Sequence, residues 1–117
     1  MWFMTDQEIN QKVARALGYV PSQEHPGYWM AKAERTGYIH FPLPNYCTDI
    51  KAAWEIVEWL YANKVNAVNT GCCVWKEHKR WYCGIRTENG RNYIQEYADT
   101  APKSICLAFL KMKEAKC

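Results

Sequence analysis

Hydrophobic residues recur along this chain with two different periods. At Ile50, Ala53, Trp54, Val57, Leu60 and Tyr61 the intervals are three and four residues, and the same rhythm returns at Ile105, Ala108, Phe109 and Met112. A thinner stripe of this kind runs through Ile9, Val13, Ala16 and Leu17. Three helices are predicted, over about 6–17, 48–62 and 101–114. Each has a start signal. Thr5 and Glu8 form a capping box, with Met4 and Ile9 as its hydrophobic staple. Thr48 is the expected cap of the second helix, with Asp49 in its first turn, where the dipole favours negative charge. Asp99 and Thr100 offer side-chain oxygens to the third, and Pro102 in its first turn forfeits no hydrogen bond.

Between Ala67 and Ala98 the rhythm changes to alternation, and three strands are predicted with two turns. Asn89-Gly90 is a strong hairpin signal, because both central residues of a type I′ turn need positive φ. A two-residue loop there sets Glu88 opposite Arg91, Arg86 opposite Tyr93, Ile85 opposite Ile94 and Tyr82 opposite Tyr97. A turn at His78-Lys79 would likewise set Glu77 opposite Arg80, Trp75 opposite Tyr82 and Val74 opposite Cys83, with complementary charges at its base.

Alternation then sorts the meander into two faces. Val68, Cys72, Val74, Trp81, Cys83, Ile85, Ile94 and Ala98 form a core face for the second and third helices. Cys73, Trp75, Tyr82, Arg86, Tyr93, Gln95 and Tyr97 form the other, with Trp75, Tyr82 and Tyr97 in a row and Gly84 leaving a dip. The first helix is expected nearer this second face. The segment 19–47 carries four of the five prolines and reads as loop with two extended pieces, Tyr28–Ala33 and Tyr38–Phe41, that pair as a hairpin. The fold class is α/β (α+β): one domain over 1–117, a three-layer sandwich of helices about an antiparallel sheet.

Composition adds a surplus. Six Trp, eight Tyr and three Phe are more than a core of 117 residues needs to hide. Some must reach the surface, where such side chains favour binding. A net charge of +3 falls short of the basic footprint of a dedicated nucleic-acid module. The opening MWFMTDQE has no basic n-region, and no apolar run approaches the roughly 20 residues of a membrane span, so a cytoplasmic protein is expected. The six cysteines form no CxxC pair and stand in no zinc-finger spacing with His25, His40 and His78, so they read as reduced thiols and no metal site is expected.

Two stretches, PNYCTDIKAAWEIVE (44–58) and YADTAPKSICLAFLK (97–111), resemble the signature segments of the phage ABA sandwich domain, a family of small bacteriophage and prophage proteins. There the pattern YSTDI-x-AAW-x-V-x-E opens one helix and ADTAP-x-AIC-x-AAL opens the last. Cys47 replaces the usual serine, and Phe109 replaces a small residue. The resemblance implies helices on both sides of a sheet, a phage origin, and no catalytic residues.

The function expected is that of a phage accessory binding protein acting against host defence, without enzymatic activity, cofactor or membrane, inside the infected bacterial cell. The ligand-binding candidates are Trp75, Tyr82, Arg86, Tyr93, Gln95 and Tyr97, an aromatic platform on which a cyclic or modified nucleotide would stack while arginine meets phosphate. A homo-oligomer acting as a sponge fits this reading. Its bland alternative is that the first helix buries the platform. The turn WKEHKRW (75–81) contributes His78, Lys79, Arg80 and Trp81, which together with Trp59 would anchor a host defence protein or grip nucleic acid. The plain reading of these basic residues is a solvated hairpin tip. Catalysis has no G-x-S-x-G elbow, P-loop, H-E-x-x-H or deaminase motif behind it, and a Cys83–His78 pair is disfavoured by the core-facing thiol.

Overall fold

The computed structural model describes residues 4–33, 37–63, 67–75, 78–86 and 93–115. Its helices are α1 (Asp6–Ala16), α2 (Ile50–Ala62) and α3 (Ala101–Ala115). The strands are β1 (Val20–Pro21), β2 (Tyr28–Ala33), β3 (Gly37–Pro42), β4 (Ala67–Trp75), β5 (His78–Arg86) and β6 (Tyr93–Ala98). They form two antiparallel three-stranded sheets, β1-β2-β3 and β4-β5-β6. The α+β sandwich, the meander and the three helices are as the hydrophobic pattern predicts.

The caps explain where the helices begin. Thr5 accepts the Glu8 amide at 3.2 Å, and Thr100 accepts the Lys103 amide at 3.4 Å. On α2 the cap is Asp49 rather than the expected Thr48: its carboxylate takes the Lys51 amide at 3.0 Å. An ionised acceptor at the positive end of the helix outcompetes a hydroxyl one residue earlier.

Helix α3 is the centre of the molecule. Ile105, Cys106, Ala108 and Phe109 have no exposed surface and Met112 almost none, while Leu107 and Leu110 are also buried. A helix apolar on every side must be enclosed, and α3 lies on β5 and β6 with α2 and α1 packed against it. Lys111 at its margin pairs with Glu96 of β6 at 3.1 Å.

Other expectations change as well. Helix α1 packs on α3 rather than over the Tyr-rich face of the meander, because its narrow stripe, Ile9, Val13 and Leu17, matches an apolar helix better than a row of amphipathic rings. The segment 19–47 is a second sheet rather than mostly loop: β2 and β3 pair from Tyr28↔Pro42 to Ala33↔Gly37, extending the expected hairpin, and β1 adds to β2. Trp29 is buried there under the Arg15 guanidinium, 5.3 Å from its ring, and Tyr19 meets Phe41 edge-on at 5.1 Å.

On α2 the core-facing residues are Ala53, Ile56, Val57 and Leu60, whereas Ile50, Trp54 and Tyr61 are about half exposed. The apolar arc of this helix is wider than the face α3 can cover, and these three residues lie along its uncovered edge. Trp59, a candidate anchor, is instead half-buried, edge-on to Phe109 at 5.4 Å with the Lys113 ammonium 5.1 Å from its ring.

Candidate functional site

Registers decide which side chains of the meander share a face. Between β5 and β6 they are those predicted: Tyr82↔Tyr97, Ile85↔Ile94 and Arg86↔Tyr93. Between β4 and β5 the pairing is Trp75↔His78, Cys72↔Trp81 and Gly71↔Tyr82. The expected turn at His78-Lys79 is therefore wrong, since both residues are in β5. The pairings predicted for Glu77 and for Glu88 with Arg91 lie outside the described residues, as does the Asn89-Gly90 turn.

The physical reason is completeness of the ladder. The observed register pairs every residue of β4 from Ala67 to Trp75, whereas the predicted one would leave Ala67–Thr70 facing the 87–90 connection with backbone groups unmatched. The displacement is four residues, an even number, so no side chain changes face. It does break the row of Trp75, Tyr82 and Tyr97: Trp75 now sits four residues along β4 from Gly71, the partner of Tyr82, roughly 13 Å away. By register Trp75 pairs with His78 at the far end of the hairpin and Lys79 with Val74 on the other face, and their side chains are outside the described residues.

Cys83, Ile85 and Ala98 of the core face are buried, Trp81 and Ile94 partly so. Burial pushes the Cys83 thiol up to about 12, which leaves it an inert hydrophobe rather than a nucleophile.

Among the described residues, the opposite face of β5 and β6 is open. Tyr93 and Tyr97 are 44% and 42% exposed, Arg80 and Arg86 are exposed, and Tyr82 and Gln95 are half-buried. These side chains make one continuous strip. The Arg86 guanidinium carbon stands 5.2 Å from the centre of the Tyr93 ring, and that ring lies over Gly84, filling the expected dip. Gln95 donates to the Tyr97 hydroxyl at 3.0 Å. The Tyr97 and Tyr82 rings stand 6.2 Å apart at 55°. Arg80 closes the strip, its guanidinium carbon 5.6 Å from the Tyr97 ring.

Of the eleven predicted site residues, the structure brings together Arg80, Tyr82, Arg86, Tyr93, Gln95 and Tyr97. Arg80 joins this strip rather than the partner-binding group to which the sequence reading assigned it. Trp81 turns to the core side, and Trp59 lies on α2, away from the meander's open face. Each strip arginine rests on a ring it can leave: an exposed cation–π contact is worth about 0.5–1 kcal/mol, and a stacked base about 1–3 kcal/mol. A base can therefore displace the guanidinium, which is then free to meet phosphate with its fork of donors.

Two other groupings are present. Ser22 is buried, accepts the His25 amide at 3.2 Å and stands 3.1 Å from His40 Nδ1, with the two imidazoles 5.2 Å apart. This ties the turn before β2 to β3. On the outer side of α2, Ile50, Lys51, Trp54, Glu55 and Glu58 line a shallow groove; sequence reasoning missed it by assigning Ile50 and Trp54 to the core.

The two sequence segments shared with phage proteins meet at the helix ends. Cys47 of the first donates its amide to Asn10 Oδ1 of α1 at 3.0 Å and accepts from Thr100 of the second at 3.3 Å. The Cys47 thiol donates to the Asp6 carbonyl oxygen at 3.8 Å, and its coupling to the buried Cys106 thiol lowers the pKa of Cys47 and raises that of Cys106. These segments therefore build the helix junction rather than the open strip.

The family model described as the phage ABA sandwich domain matches residues 11–110. The chain belongs to the phage ABA sandwich domain family. The fold is also similar to that in the crystal structure of a phage protein from Bacillus cereus ATCC 14579, with a TM-score of 0.69 at 21% identity over 97% of this chain and 92% of that one. At that identity the likeness is one of fold. No curated protein matches the sequence. Among the described residues, no helix of this phage domain is long and apolar enough to cross a membrane.

Proposed function

We propose that this phage domain is a non-enzymatic binding protein that counters host defence by sequestering a nucleotide-derived signal on the strip formed by Arg80, Tyr82, Arg86, Tyr93, Gln95 and Tyr97. The observation that supports this most is the pairing of exposed tyrosine rings with exposed arginines on one side of β5 and β6. Rings supply sequence-tolerant stacking, guanidinium groups supply phosphate contacts, and Gln95 supplies a polar edge. A protein that scavenges a signal gains from several such faces per assembly, so a homo-oligomer belongs to the proposal.

Calorimetric titration with mononucleotides, cyclic nucleotides and short oligonucleotides tests it, comparing wild type with Tyr82→Ala. Heat with at least one ligand, reduced about tenfold in affinity by the substitution, is expected from the loss of one stacking ring. Absence of heat with every member ends the proposal.

A second reading, inhibition of a host defence enzyme by direct protein contact, draws on Ile50, Trp54 and Tyr61, which expose an apolar edge beside Glu55 and Glu58. A stoichiometric host protein recovered with the wild type and lost with Trp54→Ala would favour it over the nucleotide reading.

A further inference from the structure

The spacing of the strip carries information about the length of its ligand. Tyr93, Gln95 and Tyr97 are alternate residues of β6 and share one face, so the backbone positions of the three stations stand about 7 Å apart, with the Tyr93 ring leaning over Gly84 toward the middle one. A single strand with its bases splayed out of the stack advances roughly 6–7 Å per nucleotide, about twice the ~3.4 Å of a stacked strand. The two repeats match. The first and third stations carry rings, Tyr93 beside Arg86 and Tyr97 beside Tyr82 and Arg80, while the middle one carries the amide of Gln95.

We infer that the strip is a three-station bed for a linear single-stranded oligonucleotide, with outer bases on Tyr93 and on the Tyr82–Tyr97 pair, the middle base at Gln95, and phosphates at Arg86 and Arg80. This rests on the stacking reading above and narrows it. Arg80 and Arg86 are six residues apart in β5, about 20 Å, so a mononucleotide reaches one ring and one arginine. A cyclic dinucleotide, closed on itself, cannot extend along all three stations. With two arginines rather than a basic groove, the electrostatic contribution is small: two neutralised phosphates on a single strand give a salt slope of about −1.4.

The test is calorimetric titration of the full chain with thymidine 5′-monophosphate, a cyclic dinucleotide, and oligothymidylates of two, three, four and six nucleotides, with thermal melts confirming that Tyr93→Ala and Tyr97→Ala remain folded. Affinity is expected to rise at least tenfold between one and three nucleotides and by less than about threefold beyond. Each Tyr→Ala variant should erase most of that rise. Equal affinity for the monophosphate and the trimer, or for the cyclic dinucleotide and the trimer, overturns the three-station bed while leaving stacking intact. An affinity that climbs steadily to six nucleotides overturns it as well. Failure of every ligand to bind overturns both the bed and the stacking reading beneath it.

Discussion

The ring of Tyr93 lies over the backbone of Gly84, one strand away, so closely that a Cβ on Gly84 would stand 2.7 Å from Tyr93 Cζ. A glycine inside a central strand is unfavourable for the strand alone, by roughly 0.5–1 kcal/mol relative to alanine. Its use here is to let an aromatic ring lie down on the sheet instead of standing from it. Because Tyr93 is an exposed side chain free to swing, Gly84→Ala should leave stability within about 1 kcal/mol of wild type while lifting the ring from its station. Urea unfolding checks the first part. Loss of at least tenfold in the affinity of the tightest nucleotide ligand checks the second.

The junction of the helix ends makes a different demand. Asn10 is buried and its Oδ1 receives the Cys47 amide at 3.0 Å. Asn10→Ala strands that donor in the core, and a buried unsatisfied amide costs about 1–3 kcal/mol. Chemical denaturation should show a loss in that range. A loss below about 0.5 kcal/mol would mean that the bond contributes little beyond solvation.

Alkaline pH should destabilise the fold. The Cys83 thiol is raised from 9.0 to about 12 by burial, and Tyr19 from 10.0 to about 12 by burial and then by its hydrogen bond to the Glu55 carboxylate. Burial raises Tyr46 as well. All three groups stay protonated in the fold at a pH where the unfolded chain releases their protons. Their contribution is complete below pH 9 and falls as pH rises toward 12. Unfolding free energies at pH 8, 9, 10 and 11 should decline. Cys83→Ala should make the decline shallower from pH 9 and Tyr19→Phe from pH 10. A flat profile would contradict the burial of these groups.

The two tryptophans of α2 exchange the roles that periodicity alone assigns them. Trp59 fits between Phe109 and Lys113, so Trp59→Ala should cost about 2–4 kcal/mol, toward the low end because the ring is only half-buried. Trp54 is half exposed, and Trp54→Ala should stay within about 0.5 kcal/mol of wild type. Thermal melts of the pair give the comparison directly.

These roles show where local pattern stops being informative. The β5–β6 register is legible because Asn89-Gly90 is a strong signal for a two-residue loop, and with it come Tyr82 opposite Tyr97 and Arg86 opposite Tyr93. The β4–β5 turn carries no such residue pair. Charge complementarity between Glu77 and Arg80 pointed four positions away from the register that completes the ladder. The position of helix α2 is legible in its periodicity but its rotation is not, since its apolar arc from Ile50 to Tyr61 exceeds the width α3 covers. The open strip followed from alternation, yet that α1 leaves it bare depends on how α1 fits α3, a matter of shape between distant segments.

The most direct test of the open-strip account is residue-resolved: backbone amide spectra of the labelled protein recorded as the tightest nucleotide ligand is added. Shifts concentrated at Arg80, Tyr82, Gly84, Arg86, Tyr93, Gln95 and Tyr97, with the outer side of α2 unmoved, are the result predicted. Shifts confined to α2 or to the β2–β3 hairpin, with the meander silent, would contradict it.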